Sequence, residues 1–123
     1  MSGPYIARAY EKQKEVVGNG HCVTLVKAFS DAPAASLWRE SEKLDRTIIM
    51  RLAPGTVVAT FFDGRYPSRP HGNHAAIFVG PVAGGIKVFD QWKERSPSIR
   101  VLMFGRDPSV GVAQRPEAYS VVK

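Results

Sequence analysis

A single cysteine, Cys22, occurs among the 123 residues, so the chain can form neither an intramolecular disulfide nor a zinc site with several cysteine ligands. It contains no apolar run near the roughly 20 residues that cross a bilayer. Its N-terminus lacks the basic and apolar regions of a secretory signal peptide. Repeats, low-complexity tracts and heptads are also missing, which excludes collagen-like, disordered and coiled-coil proteins. We therefore expect one compact domain over residues 1–123, made in the cytoplasm and without membrane association.

Basic residues exceed acidic ones and give a formal net charge of +6 at pH 7. This excess favours an anionic partner but does not identify it. The aromatic residues show no spacing typical of a base-stacking surface, so we expect no nucleic acid partner. Arginines in the predicted loops could instead line a cleft that binds carboxylates, although a solvated basic surface explains any one of them equally well. They are Arg65, Arg69, Arg95 and Arg106.

The first third of the sequence carries helical patterns. Residues 6–16 mix charges with scattered apolar positions and predict a weak amphipathic helix. The spacing i, i+3, i+4, i+7 of one helical face follows, occupied by Cys22, Leu25, Val26 and Phe29. A further short helix is expected over residues 33–39.

The rest of the sequence carries strand patterns. β-branched and aromatic residues follow the turn pair Pro54 and Gly55 and recur in four later segments. The predicted strands cover residues 56–62, 74–80, 85–92, 98–104 and 119–122. A short connection at residues 81–84 joins the second and third of these into a hairpin. The order predicts an α+β domain in which N-terminal helices pack on a small antiparallel sheet.

Three short motifs supply the groups that a nucleophilic cysteine needs. Cys22 ends the motif Gly-Asn-Gly-His-Cys and begins a helix, where unpaired N–H groups and the helix dipole lower the pKa of a thiol. His74 opens a strand and can act as the base beside the nucleophile. If the hairpin turns near residue 82, Asp90 lies opposite His74, where it can orient the ring and balance its charge. The sequence therefore predicts a catalytic triad of Cys22, His74 and Asp90 that uses no metal or other cofactor.

Other interpretations of these residues remain open. A register shift of one or two residues would replace Asp90 by Gln91 or Trp92, and the amide of Gln91 could also orient the ring. Cys22 alone could be a small buried apolar residue, since free cysteine is among the most buried types. A zinc site is a further alternative, although histidines three residues apart at a loop-to-strand junction do not share a helical face. Its ligands would be His21, Cys22, His71 and His74.

On these motifs, the sequence resembles the NlpC-type branch of the papain-like cysteine peptidases. The resemblance rests on Gly-x-Gly-x-Cys before a helix and on the strand-opening Asn-His-Ala-Ala-Ile-Phe-Val-Gly of residues 73–80. It extends over residues 17–104, with further matches at residues 37–39, 54–61 and 84–92. Within the branch, the chain is most similar to the small type VI secretion amidase effectors, in particular their second and third families.

The resemblance implies a papain-like, NlpC-type fold and a peptidoglycan amidase or endopeptidase that one bacterium injects into the periplasm of another. Cys22 and His74 match the nucleophile and the base of the branch, and Asp90 matches a third position whose residue type varies. Cleavage of the cross-link between D-alanine and diaminopimelate is implied by the second and third effector families. Peptidoglycan stem peptides are implied as the substrate, and a cognate immunity protein that blocks the cleft as the partner.

Residues around the triad are expected to bind the substrate, and backbone N–H groups at the helix start to stabilise the oxyanion. The expected substrate-binding residues are Gly20, His21, Gln91 and Arg65. Export through a secretion machine fits the missing signal peptide, and a solitary cysteine cannot be lost to an internal disulfide in an oxidising periplasm. The alternatives are a non-catalytic binding or toxin module on the same fold and, less favoured, a basic nucleic-acid-binding domain.

Overall fold

The computed structural model describes residues 4–67, 73–107 and 109–123. Its only α-helix within those ranges is α1 (Cys22–Phe29). The strands are β1 (Glu40–Lys43), β2 (Val57–Thr60), β3 (Ala75–Val82), β4 (Gly85–Trp92), β5 (Arg95–Met103) and β6 (Tyr119–Val122). Short 3-10 helices lie at Ala35–Leu37, Ile48–Met50, Val112–Gln114 and Pro116–Ala118. In these same ranges no helix has the length and apolar character that crossing a bilayer requires.

All six strands belong to one sheet, in the order β1-β6-β2-β3-β4-β5. Every pairing is antiparallel. Strands β2 to β5 form a meander, and β6 returns to the free side of β2, so that β2 is buried along its whole length. The α+β class with an antiparallel sheet is therefore confirmed.

The sheet buries apolar residues on both faces. On one face, Leu25 and Val26 of α1 pack with Trp38, Ile77 and Phe89 in a continuous cluster. A second cluster on the other face includes Ile49, Phe78, Val88, Leu102 and Tyr119. Because removal of apolar surface from water drives folding, the first cluster holds α1 against the sheet, and the second packs the 3-10 turn of Ile49 on the opposite face.

The predicted helix over residues 6–16 is wrong, because no helix forms there and the start of the segment pairs with residues 55–56, just before β2. Ile6 forms an isolated bridge with Thr56, and the amide of Ala7 donates to the Gly55 carbonyl at 2.7 Å. Tyr10 packs its ring 5.4 Å from that of Phe89. The backbone of residues 7 and 8 thus bonds to distant segments, at the carbonyls of Gly55 and Phe29, instead of forming helical bonds.

The expected helix over residues 33–39 is reduced to the single 3-10 turn Ala35–Leu37. Trp38 leaves this turn in extended conformation and is fully buried, with its indole N–H donating to the Pro33 carbonyl at 2.9 Å. Leu37, in contrast, is 60% exposed. The expectation of several N-terminal helices is therefore corrected to one α-helix in the described part of the chain.

Candidate active site

Cys22 is the first residue of α1, at the end of a tight turn. Gly20 adopts φ +87°, a left-handed conformation that residues with a Cβ rarely take. The side-chain oxygen of Asn19 accepts bonds from the His21 amide at 3.1 Å and from the Thr24 hydroxyl at 2.7 Å. The glycine-rich motif thereby fixes the start of the helix and the direction of the thiol.

His74 lies immediately before β3 and is held by both its backbone and its ring. Its amide donates to the Thr60 hydroxyl at 2.9 Å, and its carbonyl accepts from the Thr60 amide at 2.9 Å. Nε2 of the ring lies 2.7 Å from Oδ2 of Asp90. Since Nε2 is engaged by the carboxylate, Nδ1 is the nitrogen left for the thiol of Cys22.

The pairing of β3 with β4 differs by two residues from the predicted register. Ile77 pairs with Phe89 and Phe78 with Val88, and an irregularity follows between Phe78 and Gly80. Side chains alternate between the two faces of a strand, so a shift of two leaves Asp90 on its predicted face. The expected contact between His74 and Asp90 is therefore present, although the expected pairing is wrong.

Two arginines hold Asp90, which is fully buried. Nη2 of Arg100 lies 2.7 Å from Oδ2, and its Nε lies 3.1 Å from each carboxylate oxygen. Nη1 of Arg95 donates to Oδ1 at 3.1 Å. Burial alone would raise the pKa of Asp90, but the bonds to His74 and Arg100 outweigh it and lower that pKa. The carboxylate is thus kept ionised and in place beside the imidazole.

Opposing effects set the pKa values of the thiol and the imidazole. Burial would raise the pKa of Cys22, but His74 and the Ala75 amide, whose nitrogen is 3.4 Å from Sγ, lower it overall. Burial would lower the pKa of His74, but the bonds to Asp90 and Cys22 raise it to about 9. A lowered thiol pKa next to a raised imidazole pKa favours a thiolate–imidazolium pair.

Tyr66 is a site residue that sequence reasoning missed. Its hydroxyl lies 3.7 Å from Sγ of Cys22, and its ring packs edge-on against Trp38 with centroids 5.1 Å apart. Burial raises the pKa of Tyr66, so the hydroxyl keeps its proton. Only its aromatic character within a polar loop distinguishes it in the sequence.

An open cleft of about 890 Å³ gives access to the thiol. Its walls include Cys22, His21, Tyr66, Asn73, His74 and Trp92. Trp92 makes cation–π contacts with two arginines: the guanidinium groups of Arg95 and Arg100 lie 4.8 and 5.0 Å from the centroid of its ring system. Cys22 and His74 therefore both line an open cleft.

The four residues predicted to bind substrate occupy different environments. His21 is exposed and lines the cleft, whereas Gly20 is buried in the turn. Arg65 is exposed and bridges Phe62 through its backbone, outside the cleft lining. Gln91 is fully buried and bonds only to backbone groups before α1, so it neither reaches the cleft nor orients His74.

The zinc alternative involves His71, which lies outside the described residues, as does Arg69. Among the residues that are described, no three His, Cys, Asp or Glu side chains cluster in a way that could hold a metal ion. Arg95 is turned towards Asp90 rather than towards the cleft.

Comparison with known proteins assigns the chain to a family. Residues 6–118 match the family model of domesticated amidase effector 2. A type VI secretion amidase effector 2 protein of Salmonella typhi is 41% identical over 102 residues, covering 80% of this chain and 74% of that protein. A solved structure of a type 6 secretion amidase effector 2 superposes with a TM-score of 0.78 at 33% identity, covering 98% of this chain and 95% of that one. As its resemblance to the type VI secretion amidase effectors indicated, the chain belongs to the domesticated amidase effector 2 family.

Proposed function

We propose that this protein is a peptidoglycan amidase that cleaves stem-peptide amide bonds with Cys22 as nucleophile. One observation carries the proposal: a thiol with a lowered pKa at a helix start opens into a cleft beside a histidine whose far nitrogen meets a buried carboxylate. Membership of an amidase effector family supports hydrolysis of an amide as the reaction.

In the proposed reaction, the thiolate of Cys22 attacks the carbonyl carbon and an oxyanion forms. The imidazolium of His74 then gives its proton to the departing amine, which breaks the C–N bond and leaves a thioester on Cys22. Water gives a proton to the now neutral imidazole and attacks the thioester, which breaks the C–S bond and restores the thiolate–imidazolium pair. The released carboxylic acid loses its proton to the solvent. Asp90 stays ionised and balances the imidazolium while it exists.

Two kinds of donor are available to the oxyanion. No side-chain cap hydrogen bond is present at the N-terminus of α1, so the first-turn amides are not used by a capping oxygen and are candidate donors. The hydroxyl of Tyr66 lies beside the sulfur and remains protonated because its pKa is raised by burial. The N–H groups of the first turn and the hydroxyl of Tyr66 would donate hydrogen bonds to the oxyanion.

Tyr66→Phe is expected to lower kcat roughly 10²-fold, because one oxyanion donor is lost while the ring against Trp38 remains. The kinetics are measured on muropeptides, with Tyr10→Phe as the matched control, since Tyr10 packs on Phe89 away from the cleft. An unchanged kcat in Tyr66→Phe would remove the hydroxyl from the mechanism.

The cross-link between D-alanine and diaminopimelate is the proposed bond, by resemblance to the second effector family, to which the matched relatives belong. Stem peptides carry carboxylates, and a net charge of +6 favours their approach. We place the action in the periplasm of a target bacterium, reached through type VI secretion, where the enzyme acts as an antibacterial toxin.

A cognate immunity protein that inserts into the cleft is the proposed partner in the producing cell. The cleft is open, and blocking it would stop hydrolysis without any change of fold. Because this chain is basic, an acidic partner would associate faster at low salt. We expect this partner to co-purify with the Cys22→Ala variant.

Purified sacculi incubated with the wild type and with Cys22→Ala test the proposed function. The wild type is expected to release muropeptides cut at a stem-peptide amide, and Cys22→Ala to release none, because no other group can form the thioester. The products are identified by mass spectrometry. Wild-type activity should also survive exhaustive chelation, since the thiolate–imidazole reaction uses no metal.

Activity retained by Cys22→Ala would overturn the proposed nucleophile. Activity lost to a chelator and restored by zinc would overturn the mechanism. A folded wild type that releases nothing from any sacculus preparation would leave a non-catalytic binding module as the function of this fold.

A further inference from the structure

Gln91 is a fully buried side chain whose amide is saturated by backbone partners before α1. Its Oε1 accepts from the Val17 amide at 2.9 Å, and its Nε2 donates to the Val17 carbonyl at 3.0 Å and to the His21 carbonyl at 2.9 Å. Both donors of the amide are therefore used. The three bonds hold the first and the last residue of the segment 17–21, here called the nucleophile loop.

The nucleophile loop needs such support from outside. Gly18 and Gly20 both adopt positive φ, of 56° and 87°, and glycine gains more conformational freedom than other residues when it is released. Within the loop, the Gly20 amide donates to the Val17 carbonyl at 3.1 Å. Gln91 bonds across to both ends of this turn from a strand of the sheet.

Asp90 and Gln91 are successive residues of β4, where its pairing with β5 is irregular, and their side chains bond to different parts of the chain. Asp90 bonds to the ring of His74, while Gln91 holds the nucleophile loop, which immediately precedes Cys22. We propose that Gln91 is a positioning residue that sets Sγ of Cys22 against the ring of His74. The catalytic importance of Gln91 rests on the proposed function, whereas its positioning of the nucleophile loop rests on these contacts.

Only a carboxamide fits these partners. The loop offers one N–H and two carbonyl oxygens, which one acceptor and two donors on a single planar group can match. Gln91→Met keeps a similar length and volume but removes all three bonds. Gln91→Glu keeps the acceptor for Val17 and removes both donated bonds, and it serves as the second variant if methionine unfolds the chain.

Both variants are expected to lower kcat roughly 10- to 100-fold with KM changed less than about twofold, because a small displacement of the nucleophile affects the bond-making step more than binding. The second readout is the pH dependence of Cys22 alkylation by iodoacetamide. The midpoint should move to higher pH in both variants, because the thiol moves away from the imidazole that lowers its pKa.

Ile86→Ala is the matched control. Ile86 is fully buried on β4 and packs in the cluster on the other face of the sheet, so its truncation weakens the same strand without touching the loop. At a similar loss of thermal stability, it should keep the wild-type kcat and alkylation midpoint. A control that reproduces the kinetic loss, or a folded Gln91 variant with wild-type kcat and midpoint, would overturn the proposal.

Alkylation needs no peptidoglycan, so the two proposals can fail separately. A shifted midpoint in the Gln91 variants with no hydrolysis by the wild type would keep the positioning role and reject the amidase function. If the wild type hydrolyses sacculi but the alkylation midpoint is unchanged in the Gln91 variants, the amidase function is kept and the positioning role is rejected.

Discussion

His74→Ala is expected to lower kcat/KM on sacculi by about 10³-fold or more, because the imidazole both stabilises the thiolate and protonates the leaving amine. The fold should remain, because the backbone amide and carbonyl of residue 74 bond to Thr60 and these bonds do not need the imidazole ring. Steady-state kinetics on muropeptides measure the loss, and circular dichroism checks the fold.

The thiol of the same variant supplies an independent control. Without the imidazole, Cys22 loses the bond and the charge that lower its pKa, so alkylation near pH 7 should slow towards the rate of an ordinary thiol of pKa about 8.5. An alkylation profile identical to that of the wild type would contradict the pairing of Cys22 with His74.

The pH profile of the wild type follows from the same pair. Activity should rise with pH as the thiol of Cys22 loses its proton, below the usual thiol range because its pKa is lowered. It should fall again around pH 9, where the imidazolium of His74, with its pKa raised to about 9, loses the proton that the leaving amine needs. In His74→Ala the alkaline limb should disappear from what activity is left.

Asp90→Ala is expected to cause the largest loss of stability of any single change at the site, about 3–5 kcal/mol in the free energy of unfolding. The reason is that the guanidinium of Arg100, whose side chain is only 11% exposed, would keep its charge without its carboxylate partner. Denaturant unfolding followed by fluorescence measures the change. A loss below about 1 kcal/mol would show that the ion pairs of Asp90 contribute little.

Asp90→Asn separates the orienting role from the charge. The amide can still accept a bond from His74 but cannot balance the imidazolium, so partial activity should remain and the alkaline limb should move to lower pH. Asp107→Asn is the matched control, because Asp107 is exposed and the variant changes the net charge by the same amount. Full activity with an unmoved alkaline limb in Asp90→Asn would contradict the charge-balancing role.

The places of Cys22 and His74 in the fold, the two residues proposed to take part in bond making, could be predicted because local patterns mark them. Cys22 follows a glycine turn and heads an apolar helical face whose Leu25 and Val26 are indeed buried. His74 opens a strand that its apolar run predicts, and the strand of Asp90 was predicted with its exact bounds. Both lie where short-range sequence patterns are strongest.

Other features of the site depend on distant parts of the chain. Arg100 reaches Asp90 only because β5 pairs with β4, and Tyr66 reaches the sulfur only because its ring packs on Trp38. The hairpin turns at residues 83–84, with Val82 paired to Gly85, so the register next to the turn differs by three residues from the predicted one. The irregular pairing between Phe78 and Gly80 then reduces this difference to two. The helix over residues 6–16 was wrongly predicted because the backbone partners of Ile6 and Ala7 lie some 50 residues away, at residues 55–56 just before β2.

The bonds from Gln91 to Val17 and His21 join residues 70 and more positions apart in the chain, and Ala75 reaches the sulfur of Cys22 across 53. Contacts between residues so far apart in the chain form slowly in folding, because the entropy of the long intervening loop must be lost before the contact stabilises the chain. An isolated eight-residue helix such as α1 is too short to persist in water. Fast alkylation of Cys22 at neutral pH is therefore a property of the assembled sheet. In a refolding experiment, its return marks the time at which β3 and β4 have docked against the helix.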